Sequence, residues 1–310
     1  MMLNTNEDVR KYLTECEVAE NLIDDVIAFR DEYKNDNDAA ERISIPPSKY
    51  YGKEIWEMAL CAILQGENLL LSGAKATGKS VLADNLSYVF ARPTYTVSFN
   101  VNTDSTTMIG TDTFKDNEVT LRKGPVYQCA VNGGFGVFDE INMAKNDAVS
   151  VLHATLDYRR IIDVPGYDKI RLHPATRFIG TMNYGYAGTR ELNEALVSRF
   201  LVIDMPVVDE EMIMKIMTTN FPEAKEDALL QLAGIFLDLQ LKATSGEITT
   251  KPVDLRGLIS AVKTIKRGLN PLSAVKMGIT NKSFDNFEKE IVEDVIATRI
   301  PKAWTSENVF

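Results

Sequence analysis

Histidine is almost absent from this 310-residue chain: only His153 and His173 occur, neither near a cysteine, which disfavours a zinc site. Cysteine is nearly as scarce. Cys16, Cys61 and Cys129 are odd in number, scattered and without CxxC spacing. That excludes a disulfide framework and points to buried thiols in a reducing compartment. Long apolar runs are missing too. "MALCAIL" is among the longest, well short of the ~18 residues a membrane span needs. The opening "MMLNTNEDVRKYL" is polar and acidic, unlike a secretory signal, so a cytoplasmic protein is expected. Positive charge is in deficit. A formal net charge of −10 argues against non-specific binding to nucleic acid or anionic membrane, although "VKTIKRG" forms a small basic face.

What is present is a change of texture along the chain. Residues 1–44 read as an N-terminal helical segment, with Val9, Leu13 and Cys16, then Leu22, Val26 and Phe29, at helical spacing. Between residues 45 and 206, short apolar runs alternate with helical stretches. "NLLLSG", "TYTVSFN", "FGVFDE", "TRFIGTMN" and "FLVIDMP" are the five candidate strands. Runs of this kind, apolar on both faces and separated by helices, predict an α/β core: a five-stranded parallel sheet flanked by helices. Two hairpins read as insertions, "TDTFKDNEVTLR" turning at 115–117 and "RRIIDVPGYDKIRL" turning at Pro165-Gly166. Residues 207–310 lose the strand signal. "EDALLQLAGIFLDLQLK", "VDLRGLISAVKTIKRG" and "FEKEIVEDVIATRI" are helical by period, split by "TSGEITTKP" and "GLNP", and form an expected C-terminal helical domain.

The chemistry is concentrated in "NLLLSGAKATGKS". Its "GAKATGKS" fits G-x-x-x-x-G-K-[S/T] between a buried strand and a helix, the context of a P-loop. Gly73 and Gly78 let backbone N–H groups close around phosphate oxygens without a Cβ in the way. The expected cradle runs through Ala74, Lys75, Ala76 and Thr77 to Lys79, Ser80 and Val81. Lys79 supplies a point charge to the terminal phosphates. Ser80 offers a hydroxyl to Mg²⁺, and the helix points its positive end at the anion. Hydrolysis needs more: a metal-holding carboxylate and a group that positions water. "GFGVFDEIN" offers both, Asp139 for Mg²⁺ and Glu140 for the attacking water, at the C-terminal end of a strand where ligands of open α/β sheets collect.

With "GAKATGKS", "GVFDEIN", "GTMNYGYAGTRELNEALVSRF" and "VDLRGLI", the chain resembles AAA+ ATPases of the MoxR and dynein-related type, the CbbQ, NorQ and GvpN pattern, from about Ile45 to at least Arg256. That resemblance implies an ATP- and Mg²⁺-dependent ATPase whose helical C-terminal domain is a lid. It implies sensor 1 at Asn183, holding the lytic water with Glu140. It also implies an arginine finger at Arg199, reaching a neighbouring subunit's γ-phosphate, with Arg190 as competitor, and sensor 2 at Arg256. A finger acting in trans implies a homo-oligomer, most simply a hexameric ring. Relatives of this type remodel a protein client, often with a von Willebrand factor A domain partner. Both hairpins fall where such proteins carry inserts, and Tyr51 and Gly52 where they often contact adenine. The chain departs from the pattern in Lys75, Ala76 and Thr77, where Pro-Gly is usual, and in Met143-Ala144 after "DEIN". Two other readings stay open: a nucleotide-gated scaffold with negligible turnover, and a nucleic-acid-directed motor, including a GTP-using restriction-type branch.

Overall fold

The computed structural model describes residues 5–34, 38–115, 117–163, 168–184 and 191–310. They group into two units. One comprises the chain up to Ala74 together with Gly78–Pro206; the other comprises Lys75–Thr77 and Val207–Phe310.

The first unit opens with α1 (Asn6–Thr14), α2 (Glu20–Glu32) and α3 (Lys53–Leu64), followed by β1 (Leu69–Gly73), α4 (Lys79–Val89) and β2 (Thr94–Ser98). It continues through α5 (Ser105–Ile109), β3 (Gly110–Lys115), β4 (Glu118–Lys123), α6 (Pro125–Asn132) and β5 (Phe135–Asp139). Short turns α7 (Asn146–Val149) and α8 (His153–Leu156) precede β6 (Ile161–Ile162), β7 (Ile170–Arg171), β8 (Arg177–Asn183), α9 (Glu194–Val197) and β9 (Leu201–Asp204). Five strands form one parallel sheet in the order β2-β5-β8-β1-β9, as the five apolar runs predicted. β1 is buried along its whole length, because helices cover both faces of the sheet. The two expected hairpins are the antiparallel pairs β3–β4 and β6–β7. The Pro165-Gly166 turn lies outside the described residues, as does residue 116 in the first hairpin.

The N-terminal helices share this core. Val9 and Leu13 of α1 and Ile23, Val26 and Phe29 of α2 are buried in one cluster with Trp56, Leu60 and Leu86. Burying side chains of this size contributes roughly 1.5–3 kcal/mol each, so α1 and α2 form a wall of the unit. Cys16 and Cys129 are buried, but Cys61 is exposed, which corrects the expectation for that thiol. The inner face of α3 is taken by Ile55, Trp56, Ala59, Leu60 and Ile63, and position 61 falls on the opposite face.

The second unit is helical: α10 (Glu210–Asn220), α11 (Glu226–Thr244), α12 (Leu255–Lys266), α13 (Pro271–Gly278), α14 (Asn286–Arg299) and the short α15 (Ser306–Val309). Asp209, Asp254, Asn270 and Asp285 each cap a helix by accepting a backbone N–H, satisfying a donor the first turn leaves free. α12 and α13 touch through Gly257 and Gly278. A Cβ on Gly257 would lie 2.1 Å from the Gly278 carbonyl oxygen, so the contact admits no side chain. No helix among the described residues is long and apolar enough to cross a membrane.

Candidate active site

Strand register gathers the polar residues. β1 ends at Gly73, opposite Asn183 at the end of β8, and β2 ends at Ser98, opposite Asp139 at the end of β5. Parallel pairing therefore brings residues 73, 139 and 183 to one edge although more than a hundred positions separate the first from the last. From Gly73 the chain enters the loop that leads into α4. Gly78 caps that helix in the left-handed region, φ +87°, which glycine reaches without strain.

Lys79, the first residue of α4, is only 7% exposed. Its ammonium folds back on its own loop, donating to the Gly73 carbonyl at 3.0 Å and the Ala74 carbonyl at 2.6 Å. Burial lowers its pKa to about 8, against the upward pull of Asp139 and Glu140. Ser80 Oγ donates to Asp139 Oδ1 at 3.3 Å. Two hard oxygen donors thus converge beside the loop, a set that fits Mg²⁺, which takes few protein oxygens and fills its shell with water and substrate phosphate. No group of three or more His, Cys, Asp or Glu that could hold a metal is found among the described residues.

Glu140 follows Asp139 in the left-handed region, φ +55°, an unusual place for a residue with a side chain. Thr181, which sequence reasoning missed, holds this turn. Its hydroxyl donates to Asp139 Oδ1 at 2.8 Å and accepts the Glu140 N–H at 3.1 Å, so one side chain fixes both carboxylate residues. Asn183 Nδ2 donates to Glu140 Oε1 at 3.3 Å, and Asn142 Nδ2 donates to the Asn183 carbonyl at 2.7 Å. The signal for Thr181 was its place two residues before Asn183, on the same face of one strand.

Residues 68–200 match the AAA domain (dynein-related subfamily). The uncharacterized protein YojN of Bacillus subtilis is 31% identical over 245 residues, 77% of this chain and 80% of its own length. The uncharacterized protein SH1500 of Staphylococcus haemolyticus is 32% identical over 238 residues, covering 74% and 89%. The chain belongs to the AAA+ proteins of the dynein-related subfamily. A crystal structure from Cytophaga hutchinsonii aligns over 89% of each chain at 17% identity with a TM-score of 0.45. Membership of the AAA+ family carries nucleotide binding and, at a general level, ATPase activity.

The remaining residues that the AAA+ pattern singles out are placed as follows. Arg199, after α9, is partly buried: Nε donates to the His153 carbonyl at 3.1 Å, the guanidinium also donates to the Ala195 carbonyl, and Nη2 lies 3.8 Å from Asp157 Oδ2. Arg190 lies outside the described residues. Val81 is half-buried in the first turn of α4. In the second unit, Lys75 Nζ donates to the carbonyls of Thr250 and Lys251 at 3.2 and 3.3 Å. Arg256 is exposed in the first turn of α12, beside the Asp254 cap, and has no hydrogen bond or ion pair among the described residues.

Proposed function

We propose that this protein is an Mg²⁺-dependent ATPase of the MoxR type that works as a homo-oligomeric ring, most simply a hexamer, and remodels a protein client. In this reading residues 45–206 are the catalytic core, 207–310 the lid and 1–44 an N-terminal segment built onto the core. The observation that carries it is the convergence of Ser80, Asp139, Glu140 and Asn183 within hydrogen-bonding distance at one edge of the sheet, beside the Lys79 ammonium.

The loop from Gly73 to Val81 cradles the triphosphate of ATP, and Lys79 exchanges its loop carbonyls for phosphate oxygens. Ser80 and Asp139 hold Mg²⁺, which when bound neutralises phosphate charge. Glu140 accepts a proton from a water oriented with Asn183. The water oxygen bonds to the γ-phosphorus as the bond to the β-bridging oxygen breaks, giving ADP and phosphate. Arg199 of one subunit stabilises the charge developing in its neighbour's site, a contribution of ~10³-fold or more in related phosphoryl transfers. Arg256 couples the lid to nucleotide state. Phe114 and Val119, opposite each other on β3–β4 and both exposed, suit contact with a client. A von Willebrand factor A domain protein is the proposed partner, and the cytoplasm the proposed compartment.

The test uses three variants. Lys79→Ala is expected to abolish ATP binding, and Glu140→Gln to bind ATP and stall. Arg199→Ala is expected to bind ATP with turnover reduced about a thousandfold or more. Mixed with Glu140→Gln subunits, Arg199→Ala should give rates that depart from the average of the two; simple averaging would remove the trans finger, and undiminished hydrolysis by Glu140→Gln would remove that residue from the chemistry.

A further inference from the structure

We propose that Tyr50 is a positioning residue for the phosphate loop, and that Asn85 and Tyr12 link it to the N-terminal helices. This rests on reading that loop as the nucleotide site. Gly78 has no side chain with which to anchor its left-handed conformation. The space a side chain would take is filled from outside: a methyl built on Gly78 would meet Cε2 of Tyr50 at 3.0 Å and Cδ2 at 3.2 Å. Tyr50 is 4% exposed, and its hydroxyl has no partner among the described residues. The ring, rather than the hydroxyl, therefore makes the contact that matters. A loop held in its binding shape loses less conformational freedom when a ligand arrives, and affinity rises accordingly.

The backbone of Tyr50 is pinned on both sides. Its N–H donates to Oδ1 of the fully buried Asn85 at 3.2 Å, and its carbonyl accepts Trp56 Nε1 at 3.0 Å. Asn85 lies on α4, the helix whose first turn carries Lys79 and Ser80. Its Nδ2 donates to the carbonyls of Ser48 at 2.8 Å and Val81 at 2.7 Å, and its Oδ1 also accepts the hydroxyl of Tyr12. All four hydrogen-bonding positions of the amide are used, which fixes its orientation. Tyr12 belongs to α1. Its ring packs edge-on against Trp56 and Tyr88, and Lys49 Nζ sits 4.1 Å from its centroid while donating to the Tyr12 carbonyl at 2.8 Å. An uninterrupted line of contacts runs from α1 through Asn85 and Tyr50 to Gly78. Burial raises the pKa of both phenols above their ordinary value, so the line is carried by hydrogen bonds and packing and not by charged phenolates.

The test is ATP affinity and steady-state turnover of the full chain, with circular dichroism and thermal unfolding as the check on folding. Tyr50→Phe is expected to keep the wild-type Kd within about twofold, whereas Tyr50→Ala weakens it about fivefold or more. Tyr12→Phe, which deletes one hydroxyl on α1, is expected to weaken ATP binding about two- to threefold, the loss falling on KM and not kcat. Should Tyr50→Ala fail to fold, Tyr12→Phe decides alone. Wild-type Kd and KM in folded Tyr50→Ala and Tyr12→Phe overturn the inference. So does a Tyr50→Phe defect as large as that of Tyr50→Ala, which would move the role to the hydroxyl. Absence of ATP binding by the wild type removes the nucleotide reading and this inference with it, while wild-type binding with indifferent variants removes this inference only.

Discussion

Lys79 makes the phosphate cradle testable through protons. Burial lowers its pKa to about 8, with Asp139 and Glu140 pulling the other way, and its ammonium is satisfied by two loop carbonyls. A triphosphate placed against that nitrogen adds negative charge and favours the ammonium, returning the pKa toward the ~10.4 of an ordinary lysine. The direction follows. Well below pH 8 the free protein already carries the proton and binding is nearly proton-neutral. Above pH 8 binding must draw a proton from solvent, so affinity falls as pH rises through 8. Half of the free lysine is neutral at pH 8, giving an uptake of about 0.5 proton on binding; the value is about 0.1 at pH 7 and about 0.9 at pH 9. Over the same range Kd should rise about tenfold from pH 7 to pH 9. Isothermal titration with Mg²⁺-saturated ATP, in buffers of different ionisation enthalpy, measures the uptake directly. A Kd flat from pH 7 to 9 together with no uptake at pH 8.5 would refute the placement of Lys79 against the phosphates.

Two further substitutions probe the packing behind the site. Thr181→Val keeps the shape but removes the hydroxyl that bonds Asp139 and the Glu140 N–H; kcat is expected to fall about tenfold with ATP affinity nearly unchanged, and an unaltered kcat would dismiss Thr181 as a support. Arg92→Met strips guanidinium donors from the carbonyls of Tyr33, Asn132 and Gly133, and urea unfolding should register a loss of about 3 kcal/mol; no change would mean those carbonyls find other partners.

The elements legible in the sequence were those whose pattern is local. β1, β5, β8 and β9 are built on short apolar runs, β2 alternates buried Tyr95 and Val97 with polar neighbours, and α11, α12 and α14 carry clear helical periods. α13 was hidden because "GLNP" reads as a loop, yet Asn270 caps the helix and Pro271 opens it, the one place in a helix where proline costs nothing. α10 was hidden by "EEMIMKIMTTN", whose methionines and threonines give a weak period; its start is fixed by Asp209, the cap. Cys61 was misjudged because "MALCAIL" is apolar on every side in sequence, while only one face of α3 turns inward. At the site, the gathering of Lys79, Ser80, Asp139 and Glu140 could be anticipated because short motifs place them at or just past strand ends. Asn85 and Tyr50 could not, and Thr181 only through its place two residues before Asn183. Their meaning comes from register between strands and from bonds spanning 35 or more positions, as with Tyr50 N–H to Asn85, which no local window contains.

The same parallel architecture explains where an acidic chain keeps its buried arginines. Strands running one way with helices returning the other give the sheet two unlike edges. Helix N-termini, with free N–H groups and partial positive charge, collect at the edge that holds the glycine-rich loop of residues 73–80. Helix C-termini, with free carbonyls and partial negative charge, collect at the other. There Arg30 donates to the Val89 carbonyl at the end of α4, Arg177 to the Ile63 carbonyl near the end of α3, and Arg92 to carbonyls closing α2 and α6. Burial lowers the pKa of all three, that of Arg177 to about 10. These guanidiniums complement the helix ends and are withdrawn from the surface: Arg92 and Arg177 are buried. The outward-facing charge is therefore more acidic than the net −10 suggests. That weighs against a nucleic-acid track, because phosphate-backbone binding requires cations at the surface.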